Sequence, residues 1–256
     1  LRLAVLSDIH GNALALETVL ADLHAQGGAD RIWILGDLAS TLPRPVETMQ
    51  LIRQLRADQP AAVEIIGGNV DRYTVLGERR RLPPANADDW AKLPEVTQAR
   101  EDDINFTARR LAWEDAELIL KAIGHELTLH VPGYGWIIGF HGAPGRDEAN
   151  LRPDTPGHEI LDALHDSEGR LAFGGHTHQA MDRDLGLWRV VNVGSVGLPL
   201  DGDPRPGYAL ATFENGQVNI EIRRLEYDLE AVCQDLIAQG HPNAERYIHH
   251  LRTARM

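Results

Sequence analysis

Apolar residues in this chain come in short unbroken runs, and five of those runs stop at a residue able to bind a metal. Leu3-Ala4-Val5-Leu6 leads into Ser7-Asp8-Ile9-His10-Gly11-Asn12, and Ile32-Trp33-Ile34-Leu35 ends at Gly36-Asp37. Val63-Glu64-Ile65-Ile66 ends at Gly67-Gly68-Asn69, Trp136-Ile137-Ile138-Gly139-Phe140 ends at His141, and Leu171-Ala172-Phe173-Gly174-Gly175 ends at His176-Thr177-His178. Runs of this length bounded by glycine read as buried strands. Laid side by side and parallel, they bring their terminal residues together, because open α/β sheets place ligands beyond the carboxyl ends of the strands.

Between the runs the period changes to helical. Leu16, Val19, Leu20 and Leu23 follow Asn12 as N-cap and stop at Gly27-Gly28; Val46, Met49, Ile52 and Leu55 follow Pro43 and Pro45. The first seventy residues therefore read as βαβαβ. From about 71 to 112 the pattern loosens around Pro83-Pro84 and Pro94, predicting a lid-like insertion with short helices in which Arg79, Arg80 and Arg81 line an anionic substrate. Residues 111–123 read as a helix, 125–131 and the strand before His141 as a hairpin, and 156–166 as a helix. Tyr208–Phe213 and Val218–Arg223 read as a second hairpin turning at Asn215-Gly216, and about 228–256 as a C-terminal helical segment. Periodicity alone gives a mixed α/β chain, 1–256, in one domain.

Composition narrows the function classes. The 256 residues hold 38 acidic against 25 basic side chains, a formal charge of -13. Such a surface repels long nucleic acids, while small anions remain compatible if bound dications supply local positive charge. One cysteine, Cys233, excludes an internal disulfide and is expected as a packed small hydrophobe. No apolar stretch reaches spanning length and the first strand leaves no room for a signal peptide, so a cytoplasmic protein without membrane association is expected.

Singly, each strand-end residue has a plainer reading: Asp8 or Asp37 capping a helix, Asn69 in a turn, His141 satisfied near a core. In this order the set resembles the signature of the calcineurin-like metallophosphoesterases, Asp-x-His, Gly-Asp, Gly-Asn-His-Asp/Glu, His and Gly-His-x-His. It is most similar to their bacterial and archaeal phosphodiesterase-like branch, through Asn192-Val193-Gly194-Ser195-Val196-Gly197. The resemblance implies two packed mixed β-sheets flanked by helices, an αββα sandwich, with two divalent metal ions. One ion would be held by Asp8, His10, Asp37 and His178 and the other by Asp37, Asn69, His141 and His176. Imidazole, carboxylate and amide without thiolate suit Mn, Fe, Zn, Co or Ni. The implied activity is hydrolysis of phosphodiesters or small activated phosphate esters by a metal-bridging hydroxide, the ions lying ~3.5–4 Å apart. Asp37, His10 and Asn69 are the expected catalytic residues, and Arg72 and Asn69 the expected phosphate contacts. A salt bridge from Arg72 to Asp71 or elsewhere is the competing reading. Alternatives are a phosphomonoesterase or nucleotide-polyphosphate hydrolase acting on a small nucleotide-like substrate, and a non-catalytic interaction scaffold.

One position departs from the signature. Gly68-Asn69-Val70-Asp71 has Val70 where the family has a histidine that contacts the phosphate and helps protonate the leaving group. Of the other aromatic and imidazole groups, Trp90 and Trp113 are expected in the core. His24, His125, His130, His158, His165, His241, His249 and His250 are expected in surface or capping roles.

Overall fold

The computed structural model describes residues 1–78 and 85–255; Arg79, Arg80 and Arg81 lie outside the described residues. Ten strands are present among them: β1 (Arg2–Leu6), β2 (Arg31–Leu35), β3 (Val63–Ile66), β4 (Leu127–Val131), β5 (Gly135–Gly139), β6 (Leu171–Gly174), β7 (Met181–Asp184), β8 (Arg189–Asn192), β9 (Gly207–Glu214) and β10 (Gln217–Arg224). The helices are α1 (Ala13–Ala25), α2 (Pro45–Asp58), α3 (Asn69–Leu76), α4 (Ala87–Ala108), α5 (Trp113–Ala122), α6 (Gly157–Ala163), α7 (Leu229–Ala238) and α8 (Ala244–Thr253). Asn12 caps α1 by accepting from the Ala15 amide at 3.1 Å, as its place before the helical period predicts.

The strands form two five-stranded sheets, ordered β10-β9-β1-β2-β3 and β4-β5-β6-β8-β7. The five site-bearing strands are thus split between sheets: β1, β2 and β3 run parallel in one, β5 and β6 parallel in the other. Alternation between two packed faces explains why four of the five runs are apolar on every residue; in β3, Glu64 accepts from Trp33 Nε1 at 3.0 Å. Leu3, Val5, Trp33 and Leu35 face Ile137, Leu171 and Phe173 in the core between the sheets. Their neighbours Ala4, Leu6, Ile32 and Ile34 face α1, α2 and α5 through Leu16, Val19, Met49, Ile52 and Ile119. Across the second sheet, Ile138, Ala172 and Val190 pack on α6 through Ile160 and Leu164. This is the αββα sandwich.

Three expectations are corrected, and one strand lies outside them. The loosened stretch holds the 22-residue helix α4, which runs through Pro94; its first two turns are exposed, so water can serve the Trp90 carbonyl that Pro94 leaves without a donor. Trp90 and Trp113 are both 67% exposed, since α4 packs only through Ile104, Phe106 and their neighbours, and Trp113 sits at the first position of α5. His241 and His250 are buried, because α7 and α8 fold back over Leu42 and Leu198 and press His241 onto Phe106, with ring centroids 4.5 Å apart. Strand β7 carries no apolar run and was not predicted; as an edge strand pairing only with β8, it needs none. Cys233 is buried, as expected.

Helix α1, which leaves directly from the first site loop, is tied to the sheet by one carboxylate. Asp22 accepts from Arg223 Nε at 2.6 Å and Nη2 at 2.9 Å, and from Tyr208 Oη at 2.7 Å. The hydrogen bonds from Arg223 hold its pKa below the usual carboxylate value. A depressed folded pKa stabilises fully above the unfolded value of about 3.9 and is lost as pH falls through the lower folded value. Asp22→Asn is therefore expected to cost about 1.5–3 kcal/mol at pH 7. The deficit should shrink as pH drops below 4, read by urea denaturation across that range; a deficit independent of pH contradicts this account.

Candidate metal centre

All seven strand-end residues meet where the two sheets present their carboxyl ends. Ligand atoms of Asp8, His10, Asp37 and His178 lie within 4.8 Å of one another, and so do those of Asp37, His141 and His176, with Asp37 common to both groups. Asn69 completes the second group, its Oδ1 lying 3.1 Å from His141 Nε2. Six of the seven are buried; His176 is partly exposed.

The histidine tautomers follow from their outer nitrogens. Nδ1 of His10 faces the Ser40 carbonyl at 2.8 Å, that of His141 the Leu35 carbonyl at 2.7 Å, and that of His178 the Leu198 carbonyl at 2.5 Å. A carbonyl can only accept, so each Nδ1 carries a proton, and in the neutral ring each Nε2 faces inward as a lone pair. The Nε2 atoms of His10 and His178 then stand 3.0 Å apart, lone pair to lone pair, and His178 Nε2 is 3.2 Å from Asp8 Oδ1. Asp8 Oδ1 and His176 Nδ1 are buried without a hydrogen-bond partner. Orphaned buried acceptors carry a desolvation cost, which a cation among them removes.

The titration of the site points the same way. Burial pushes Asp37 up, but the charge and hydrogen bond of His141 outweigh it and hold the carboxyl at about 2. Burial works against protonation of His141, and the Asp37 charge overrides it, raising the ring to about 10. Asp8 is likewise held well below the usual range, burial being outweighed by His178 and His10. His176 moves the other way, to about 4, through burial and the His141 charge. Two carboxylates thus stay ionised in a dry place and draw positive charge to it.

The loops that present these groups are held in costly conformations. Of the eight non-glycine residues with positive φ among the described residues, five are site residues: Asp8 (56°), His10 (53°), Asp37 (52°), His176 (65°) and His178 (58°). Each costs about 1–3 kcal/mol and persists only where neighbours over-determine it. Here the amides of Asp8 and His10 bond the carbonyls of Gly36 and Asp37, at 3.0 and 2.9 Å. The His176 amide bonds Asp8 Oδ2 at 2.9 Å, stitching the two sheets together.

Three further residues do this pinning, and the strand-end reading gave none of them a role. Asp71, fully buried, accepts from the Leu38 amide at 2.9 Å and the Gly68 amide at 3.0 Å, fastening the Asp37 and Asn69 loops to each other. Burial and the Asp37 charge push its pKa up to about 7. Asn192 Nδ2 holds the Gly175 carbonyl at 2.6 Å and Thr177 Oγ1 at 2.9 Å, and Ser195 Oγ donates to the Asp8 carbonyl at 2.7 Å. Their signal was the loop motif itself, a polar Asn and Ser inside an apolar run. Arg72 follows the salt-bridge reading with partners other than Asp71: its guanidinium pairs with Asp147 at 2.7 and 2.9 Å, with Glu148 at 3.0 Å and with Glu78. Val70 gives the site only its backbone amide, donated to Asp37 Oδ1 at 2.9 Å.

Known proteins resemble the chain over its length. An uncharacterized Methanocaldococcus jannaschii protein is 26% identical over 257 residues, covering 94% of this chain and 93% of that protein. The crystal structure of a hypothetical protein from Pyrococcus horikoshii OT3 superposes with a TM-score of 0.80 at 22% identity, covering 99% and 98% of the two chains. That of a metallophosphoesterase from Sphaerobacter thermophilus superposes with a TM-score of 0.72 at 25% identity, covering 99% of each. Residues 1–216, from β1 through the β9–β10 turn and including all seven clustered side chains, match the calcineurin-like phosphoesterase superfamily domain, and the chain belongs to that superfamily.

Proposed function

We propose that the protein is a phosphoric ester hydrolase working with two divalent ions that share Asp37, and that its substrates are phosphodiesters or small activated phosphate esters. One observation carries the reading: two donor groups share one carboxylate, and within them Asp8 Oδ1 and His176 Nδ1 are buried without a hydrogen-bond partner while the Nε2 atoms of His10 and His178 meet at 3.0 Å. Asp8, His10, Asp37 and His178 suit one ion, and Asp37, Asn69, His141 and His176 the other. The mixed N and O donor set fits borderline metals and does not choose among Mn, Fe, Zn, Co and Ni. When bound, such ions supply Lewis acidity toward phosphoryl oxygens and a nucleophilic water at neutral pH.

The chain's own part is to hold the donors and leave room between them. A methyl group on Gly68 would come within 2.2 Å of Asp37 Oδ1 and 2.7 Å of His141 Cε1, and one on Gly175 within 2.5 Å of Asp8 Oδ2. Both glycines are the bare floor of the centre, and substitution there pushes donors out of place. At Val70 the chain offers a leaving group an apolar side chain and no proton. A positioned donor is worth about 10²–10⁴-fold, most for basic leaving groups.

Three outcomes are expected. Asp37→Ala should lose both ions and the activity together, read by metal analysis and a chromogenic diester assay; a variant retaining a full complement of metal contradicts the sharing. Gly68→Ala should fold with wild-type circular dichroism yet bind less metal. Across an ester series, rate should fall steeply as leaving-group pKa rises, and Val70→His should flatten that dependence. A rate insensitive to leaving-group pKa in the wild type would instead mean that another group delivers the proton, and faster turnover of alkyl monoesters would favour the phosphomonoesterase reading.

A further inference from the structure

Beside the metal centre, a cavity of ≈ 240 Å³ opens between α3, α4 and α8. Its inner wall is Asn69 and Val70, the residue pair that ends β3's loop at the centre, so whatever occupies it stands next to a group bound there. Ile104, Tyr73 and Tyr247 give the wall an apolar and aromatic part beside Thr41 and Thr97, and its rim carries two exposed guanidinium groups, Arg100 from α4 and Arg246 from α8. Helix α8, and with it the Arg246 side of the rim, lies beyond residue 216, where the match to the superfamily domain ends, while α4 and Arg100 lie within it.

Several arginines of this acidic chain are paired: Arg44, Arg72, Arg189, Arg205, Arg223 and Arg252 each hold a carboxylate. Among the described residues Arg100 and Arg246 have no such ion pair, and Arg246 lies over the Tyr247 ring with Cζ 5.6 Å from its centroid. Of the two carboxylates that share the lining, Asp103 is buried and both its oxygens are engaged, by Tyr247 Oη at 2.5 Å and Asn243 Nδ2 at 2.7 Å. Those bonds also tie α4 to α8 and hold the two rims in one geometry. Glu101 stands on the rim as the opposing charge.

Resting on the hydrolase reading above, we infer that this cavity is the leaving-group subsite, and that Arg100 and Arg246 select esters whose leaving group is a ring carrying an anion of its own. The scissile phosphoryl group sits at the centre, the ring lies along Val70, Ile104 and Tyr247, and the second anion, a carboxylate or phosphate, meets the guanidinium pair. Arginine suits this task because its planar fork recognises both oxyanions.

The test separates binding from turnover. Full-length Mn-loaded protein is titrated calorimetrically with two inert probes, phenylphosphonate and 4-carboxyphenylphosphonate. The carboxylate-bearing probe should bind about tenfold more tightly, a ratio in line with one or two partly exposed charge-assisted contacts. The double variant Arg100→Gln/Arg246→Gln should bring the ratio near one, Arg100→Lys should keep part of it, and Arg56→Gln, outside the cavity, should keep all of it. A wild-type ratio near one, a ratio unmoved by the double variant, or preference for a 4-(aminomethyl)phenylphosphonate, which would give selection to Glu101, overturns the inference. Phenyl phosphate and 4-carboxyphenyl phosphate are assayed alongside, and kcat/KM should favour the latter by a similar factor. Failure to hydrolyse either overturns the hydrolase reading, while the binding ratio still decides the subsite.

Discussion

Two ionised carboxylates and four imidazoles share a largely buried space at the ends of two sheets, an arrangement that is costly unless positive charge enters it. Asp8 and Asp37 are almost wholly shielded from water, and the nearest nitrogens, Nε2 of His10, His141 and His178, are turned toward them as acceptors by carbonyls on their far sides. In the absence of metal, protonation of the imidazoles is the available compensation, which is why His141 titrates so high. A divalent ion would do the same job by accepting several of those lone pairs at once. The fold's remaining features near the centre serve to keep these groups close despite their mutual repulsion.

That service is visible in the backbone. Five site residues hold left-handed conformations whose summed cost, at about 1–3 kcal/mol each, rivals the whole stability of a typical domain. The offset comes from rigid surroundings: apolar strands packed on both faces, and loops cross-bonded by Asp71, Asn192 and Ser195. The two sheets contribute side chains to both donor groups, so the inter-sheet core and the centre hold each other in register. His176's amide on Asp8 is the direct link between them.

The parts legible in the sequence were those where one physical rule dominates. Apolar runs ending in Asp, Asn or His marked the strands and their terminal donors, and Asn12 marked the start of α1. The division of those strands between two sheets was not in their periodicity, because a strand buried on both faces looks the same in either; it came with the family resemblance. Strand β7 was invisible because its edge position demands no apolar pattern, and α4 was read as broken because Pro94 outweighed local propensity. Trp90 and Trp113 went to solvent, and His241 and His250 to the interior, through the way α4 and α8 dock, which is a tertiary fact. The same docking builds the cavity beside Asn69, and no local pattern announces that Arg246 lines it together with a residue 177 positions earlier (246 less 69).

The central claim is that two ions occupy these two donor groups and share Asp37. Anomalous diffraction from a crystal of the Mn-loaded protein tests it most directly. Two peaks are expected, one among Asp8, His10 and His178, the other among Asn69, His141 and His176, with Asp37 in contact with both. A single peak at full occupancy, or two peaks without Asp37 between them, would contradict the account.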